Sequence, residues 1–183
     1  MSKIDDLLTN YKKYISIPWR DAAPAQRVVF CVYNENYERR LRAKIDEFEI
    51  ATREEGHGWE VFELTGMFAE WLSQQRYAER YFQQPHLIST LLPKFKEFIA
   101  NQFKVFLNSK KIDSNTVVAL KGVGSLFGFL KVKEVVDEIS SFVPGRLLVF
   151  FPGSCYENNN YRLLDAYDGW NYLAVPITPD KDL

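Results

Sequence analysis

Cysteine, histidine and methionine each occur only twice in this chain of 183 residues, and that scarcity excludes a good deal. Cys31, His57, His86 and Cys155 show no metal-ligand spacing, so no zinc centre is expected. Two cysteines build no disulfide framework. Cys31 lies inside an apolar run, where a thiol behaves as a small hydrophobe; this fits a reducing, cytoplasmic setting. No run approaches the roughly 18 apolar residues a membrane span needs. The opening MSKIDDLLTNYKK has no apolar h-region, so it does not read as a secretory signal. Charge of one sign is also lacking. A formal net charge of −1 gives no overall pull toward nucleic acid and leaves only local patches. At 46% hydrophobic and 26% charged, the chain is neither disordered nor fibrous.

What is present is aromatic and regularly alternating. Phe, Trp and Tyr make up 15% of the residues, and a surplus of Tyr and Trp often ends on a contact surface. Ile4, Leu7, Leu8, Tyr11 and Ile15 fall at helical steps. VVFCVY (28–33) reads as a first strand, and Asn34 or Asn36 can cap the helix that follows. WEVFEL (59–64) is a strand with one partly polar face, suited to a sheet edge. Helical stretches follow at 67–73 and 77–82, and the longest at 87–107, where Pro93 marks a kink or a fresh start. TVVAL (116–120), a glycine loop and a helix through Val132, Val135, Val136 and Ile139 lead to LLVFF (147–151). That run is apolar at every position, so both faces of its strand are covered. Asp168-Gly169 is a two-residue hairpin signal. The expectation is a single α/β domain over 1–183, with residues 1–26 a helix and linker packed on it. Its mainly parallel, Rossmann-like sheet carries helices on both faces and ends in an antiparallel β-hairpin at 162–177.

Ligands in such sheets gather at the carboxyl ends of the strands, here the loops 34–37, 65–67, 121–128 and 152–161. The loop KGVGSLFGF follows a strand and precedes a helix, as a phosphate cradle does. Its spacing fits neither a P-loop nor a Rossmann fingerprint, and Leu126 and Phe127 suit an apolar plug. Nucleotide binding and packing both stand as readings. Cys155 has no evident activating base, and paired-carboxylate chemistry would fall to Glu157, Asp165 or Asp168. Of these, Asp168 is accounted for by its turn. No catalytic, cofactor or metal residues are assigned. The block Arg39-Arg40-Leu41-Arg42-Ala43-Lys44 reads as a solvated helix face with i,i+4 pairs, or as a weak nucleic-acid patch.

A turn at Asp168-Gly169 would pair Tyr167 with Trp170, Asp165 with Tyr172, and Leu163 with Ala174, with Leu164, Leu173, Val175 and Ile177 on the core side. The predicted partner-binding residues are then Tyr156, Asn158, Asn159, Tyr161, Asp165, Tyr167, Trp170 and Tyr172. The alternative is that the first helix and Trp19 cover this face.

Four stretches carry a family resemblance: IDDLLTNYKKYISIPW, RRLRAKIDEFEIATREEGHGW, NTVVALKGVGSLFGF, and GRLLVFFPGSCYENNNYRLLDAYDGWNYLAVPI. In these the chain resembles the BrxB family of the bacteriophage exclusion (BREX) defence system. The resemblance implies a cytoplasmic protein working beside a large ATPase, a DNA methyltransferase and an alkaline-phosphatase-like protein of the PglZ type. It supplies no catalytic motif. What it implies for a small α/β protein without a catalytic set is a non-enzymatic adaptor, with the PglZ-type protein as partner. A nucleotide-responsive or nucleic-acid-binding regulatory subunit is the alternative.

Overall fold

The computed structural model describes residues 2–157, 160–169 and 173–180. In chain order the elements are α1 (Lys3–Ile15), β1 (Val28–Tyr33), α2 (Glu38–Glu54), β2 (Gly58–Glu63), α3 (Met67–Ser73), α4 (Ala78–Gln83), α5 (Leu92–Ser109), β3 (Thr116–Lys121), α6 (Val132–Ile139), β4 (Arg146–Tyr156), β5 (Asn160–Leu163), β6 (Ala166–Gly169) and β7 (Val175–Ile177). The central path runs β2-β3-β4-β1-β7 and is parallel throughout.

Alternation along each strand divides the core in two. Phe30, Val32, Val118, Leu120, Val149 and Phe151 face α3, α5 and α6. Val29, Cys31, Ala119, Leu148 and Phe150 face α1 and α2. Apolar residues at successive positions are therefore required, because water reaches neither side. β2 lies at the end of the path and carries the mixed sequence expected of an edge. Pro93 sits in the first turn of α5, after a 3-10 stretch over Pro85–Leu91. There its missing N–H costs nothing, so the long helix starts afresh rather than kinking.

The amino-terminal segment belongs to the α2 face. Ser2 and Asp5 form a capping box that starts α1. Tyr11 donates to Thr52 Oγ1 at 2.6 Å, and Thr52 in turn donates to the Phe48 carbonyl at 2.7 Å. Burial pushes the Tyr11 phenol well above its ordinary range. Trp19 stacks on His57 with centroids 3.9 Å apart, and the Arg146 guanidinium lies 4.8 Å from the same indole.

The carboxyl-terminal ribbon is antiparallel, as expected, but its turn lies elsewhere. β4 does not stop at Phe151. Tyr33 pairs with Pro152, and beyond that point β4 continues without β1 and pairs antiparallel with β5, from Gly153↔Leu163 to Tyr156↔Asn160. The chain reverses at Leu164-Asp165, with Leu164 at φ 54 and its N–H donating to the Pro152 carbonyl at 2.9 Å. Leu163 then pairs with Ala166, Arg162 with Tyr167 and Tyr161 with Gly169. Asp168-Gly169 is strand, not turn, and Leu163 does not pair with Ala174. The described part of the expected second arm does not return along the first. Val175–Ile177 lies parallel to β1, where it covers that strand's other edge. Pro176 is tolerated there because β7 is the last strand of the path.

Gly153 is what lets β4 and β5 approach. A Cβ on it would land on the Arg162 carbonyl oxygen, a backbone atom that cannot step aside. Gly153→Ala is therefore expected to cost about 1–3 kcal/mol or more in urea unfolding. Gly66→Ala, where an added Cβ meets nothing within 4 Å, should stay within about 0.5 kcal/mol.

Candidate partner-binding face

The hairpin is fastened at both ends by buried groups. Tyr161, at 0% exposure, is wedged edge-on against Phe30 (5.0 Å, 78°) and Phe151 (5.6 Å, 76°). Burial raises its phenol pKa. Tyr161 is thus a core residue, not a docking one. A ribbon this short needs one large side chain in the sheet's own core to hold it down. Asp168, buried as well, spends its carboxylate on the start of α6, accepting from Val132 N at 2.8 Å and Lys133 N at 3.1 Å. Those N–H groups are among the orphan donors of a helix start, and a carboxylate also suits the positive end of the dipole.

Between these anchors the exposed side of the hairpin meets the glycine loop. Gly122 (φ 83) and Gly128 (φ 81) adopt the left-handed conformation at the two ends of a compact 3-10 turn. The turn drives Val123 and Leu126 into the core and leaves Phe127 exposed. A cavity of about 320 Å³ opens there, with Phe127, Phe129 and Leu130 on one side and Leu163, Ala166 and Tyr167 on the other. Tyr167 is about half exposed, and Lys131 Nζ lies 5.8 Å from its ring centroid. Phe129 stacks on Phe68 at 3.9 Å, which ties the loop to α3.

Of the residues predicted to bind a partner, Tyr167 lies on this face, Asp165 is exposed in the turn, and Tyr156 is exposed at the far end of β4. Asn158, Asn159, Trp170 and Tyr172 lie outside the described residues. Leu173, assigned to the core side, is largely exposed. Among the described residues of the face, neither α1 nor Trp19 covers Tyr167 or the hairpin anchors. Both pack with α2 and the strands on the opposite side of the sheet from Tyr161 and Leu163. Sequence reading missed that Phe127 and Tyr167 line one cavity. The one available signal was the pair of bulky residues in a glycine loop, which marked a plug but not its neighbour.

Three of the four carboxyl-end loops, with Pro152 from the fourth, do converge, around a second cavity of about 350 Å³ lined by Glu35, Thr65, Gly122, Ser125 and Pro152. Most of the charges around it are spent on one another, Glu35 excepted. Arg42 pairs with Glu38 at 2.7 Å and Glu63 at 3.4 Å and donates to Thr65 Oγ1 at 2.9 Å; Lys121 pairs with Glu63 at 2.9 Å. Lys44 is held by Asp5 and Glu47. The basic block on α2 is thus half neutralised, by an i,i+4 pair with the preceding Glu38 and an i,i+3 pair with Glu47. His57 is out of reach of Cys155. It precedes β2 at the amino end of the sheet, whereas Cys155 lies past the carboxyl end of β1. A six-residue strand at about 3.3 Å per residue separates those ends.

Two outcomes follow from these contacts. Asp168→Ala should destabilise the fold by about 1–3 kcal/mol, read from urea midpoints, with Asp168→Asn recovering part of the loss. Burial alone would raise the Glu63 pKa, but hydrogen bonds from Thr65 and Lys121 outweigh it and leave the carboxyl below its ordinary value. A carboxylate lowered by folding adds stability at neutral pH, and that part is lost as pH falls below about 4.5 and through the folded value. Glu63→Gln should accordingly flatten the acid limb of a stability–pH curve.

Residues 59–177 match a family model described as BREX protein BrxB. The match takes in the glycine loop and the hairpin; of the four stretches in which the resemblance was read, the first lies outside it and the second reaches it only at Trp59. No curated protein and no solved structure matches the chain. The matched segment is well over half the chain and carries the whole candidate face, so this protein belongs to the BrxB family and is a component of a BREX defence system.

Proposed function

We propose that the chain acts as a non-catalytic adaptor in the cytoplasm, holding the PglZ-type protein of its BREX system against the groove between the glycine loop and the hairpin. The ATPase and DNA methyltransferase are further members of the same assembly. The observation that supports this reading is the placement of Phe127 and Tyr167. Two exposed rings flank one groove on backbone fixed by Leu126, Tyr161 and Asp168. Aromatic side chains on a stiff support give large contact area and lose little entropy on binding.

The polar groups nearby support an adaptor over an enzyme. Glu38, Arg42, Glu63 and Lys121 satisfy one another. The helix start after the glycine loop, where a phosphate would sit, is already taken by Asp168. That occupancy weighs against a nucleotide at residues 121–128.

The test is binding of the PglZ-type protein by the wild type and by the double variant Phe127→Ala/Tyr167→Ala, compared by pull-down and calorimetry. Loss of two central aromatic anchors should weaken binding by about tenfold or more with the circular dichroism spectrum unchanged. Equal affinity in a folded double variant removes this face from the interface.

A further inference from the structure

A third cavity, of about 500 Å³, lies at the carboxyl ends of β1, β4 and β7, away from the groove described above. β1 and β4 are neighbours, yet their chains leave in different directions. β1 leads into α2 on one face, while β4 runs on into the hairpin, whose anchors sit in the core of the other face. Such a divergence opens the crevice in which doubly wound sheets take their ligands, and the volume falls in the range of small-molecule sites.

The lining mixes apolar surface with neutral polar groups, and its two charged residues are paired with each other. Asn34, Asn36 and Tyr37 come from the turn after β1, Ser154 and Cys155 from β4, and Thr178 from the segment after β7. The paired cation and carboxylate are Lys3 and Asp180, at the rim. Asn34 Oδ1 accepts from Asn36 N at 3.0 Å, which fixes the turn. The Thr178 hydroxyl is buried with no hydrogen-bond partner among the described residues.

We infer that this cavity binds an uncharged nucleobase or nucleoside. The amides of Asn34 and Asn36 and the Ser154 hydroxyl, beside the Tyr37 ring, are of the kinds that read the donor and acceptor edge of a planar base and support its face. With the rim cation already paired, a phosphate gains no counter-charge there. The assignment is independent of the adaptor reading, since neither Phe127 nor Tyr167 takes part.

The experiment uses the intact chain and the thiol of Cys155 as reporter; Cys31 is fully buried and its thiol is pushed far up by burial. Adenosine, guanosine, cytidine, thymidine and their 5′-monophosphates are tested by ligand-observed NMR and by the rate at which a thiol reagent labels Cys155. A bound nucleoside at about ten times its dissociation constant leaves roughly a tenth of the thiol open and slows labelling about tenfold. Ser154→Trp, which fills the cavity, and Tyr37→Ala should each abolish or greatly weaken this protection while keeping the wild-type circular dichroism spectrum. If Ser154→Trp fails to fold, Tyr37→Ala alone decides. The inference is overturned if no nucleoside binds at up to about 1 mM, if a monophosphate binds more tightly than its nucleoside, or if protection survives in a folded variant.

Discussion

Everything at the carboxyl end of this molecule depends on β4 being longer than its neighbours. Its first half is a central parallel strand, buried on both faces between β3 and β1. From Gly153 onward β1 no longer accompanies it, and its backbone groups would stand unpaired beside the core. A buried N–H or C=O without a partner costs free energy comparable to a lost hydrogen bond, so the chain must fold back along this stretch. β5 supplies the pairing and brings Tyr161 with it. The ring fills the space against Phe30 and Phe151, a burial worth roughly 2–3 kcal/mol on the scale of large side chains. Backbone pairing and side-chain burial thus agree on one register, which is why so short a ribbon holds its place.

The sheet itself was legible because its signals are local and repeated. VVFCVY, TVVAL and LLVFF are apolar at nearly every position, and helical patterns separate them; few arrangements other than a covered parallel sheet satisfy both. The hairpin was misplaced because Asp-Gly has more than one use. Asp is favoured in tight turns for the same reason that it caps helices: a short side chain with two acceptors aimed at backbone N–H groups. Which use prevails was decided by Val132 and Lys133, some 35 residues earlier in the chain. No window around Asp168 contains that information. Tyr161 was misjudged in a related way. Its neighbours in sequence are polar, and its apolar surroundings come from β1 and β4.

The candidate face shows the same division between local and distant information. The glycine loop announced itself by composition, and of the two bulky residues expected to pack as a plug only one does. Leu126 does enter the core; Phe127, one residue later, does not. Only the corrected hairpin register puts Tyr167 beside it. With the turn at Asp168-Gly169, Tyr167 would have flanked the reversal and faced Trp170. With the turn at Leu164-Asp165, it stands opposite Arg162 and next to Lys131. The error in register and the missed site are one error.

The charges at the carboxyl end follow from the crowding of that end. Glu63 lies at the tip of β2, Lys121 at the tip of β3, and Arg42 reaches across from α2. Gly122 permits this convergence, because a Cβ there would occupy the positions of the Thr65 hydroxyl and the Glu63 carboxylate. Groups so placed must either pair with one another or remain available for a ligand's charge, and half-buried charges pair when opposite partners are within reach. Here they pair. An ion-pair lattice of this kind can brace three loops against one another, and it commits the charges of Glu38, Arg42, Glu63 and Lys121 to that task. That is the physical ground for expecting this end of the molecule to recognise shape, aromatic surface and neutral polar groups.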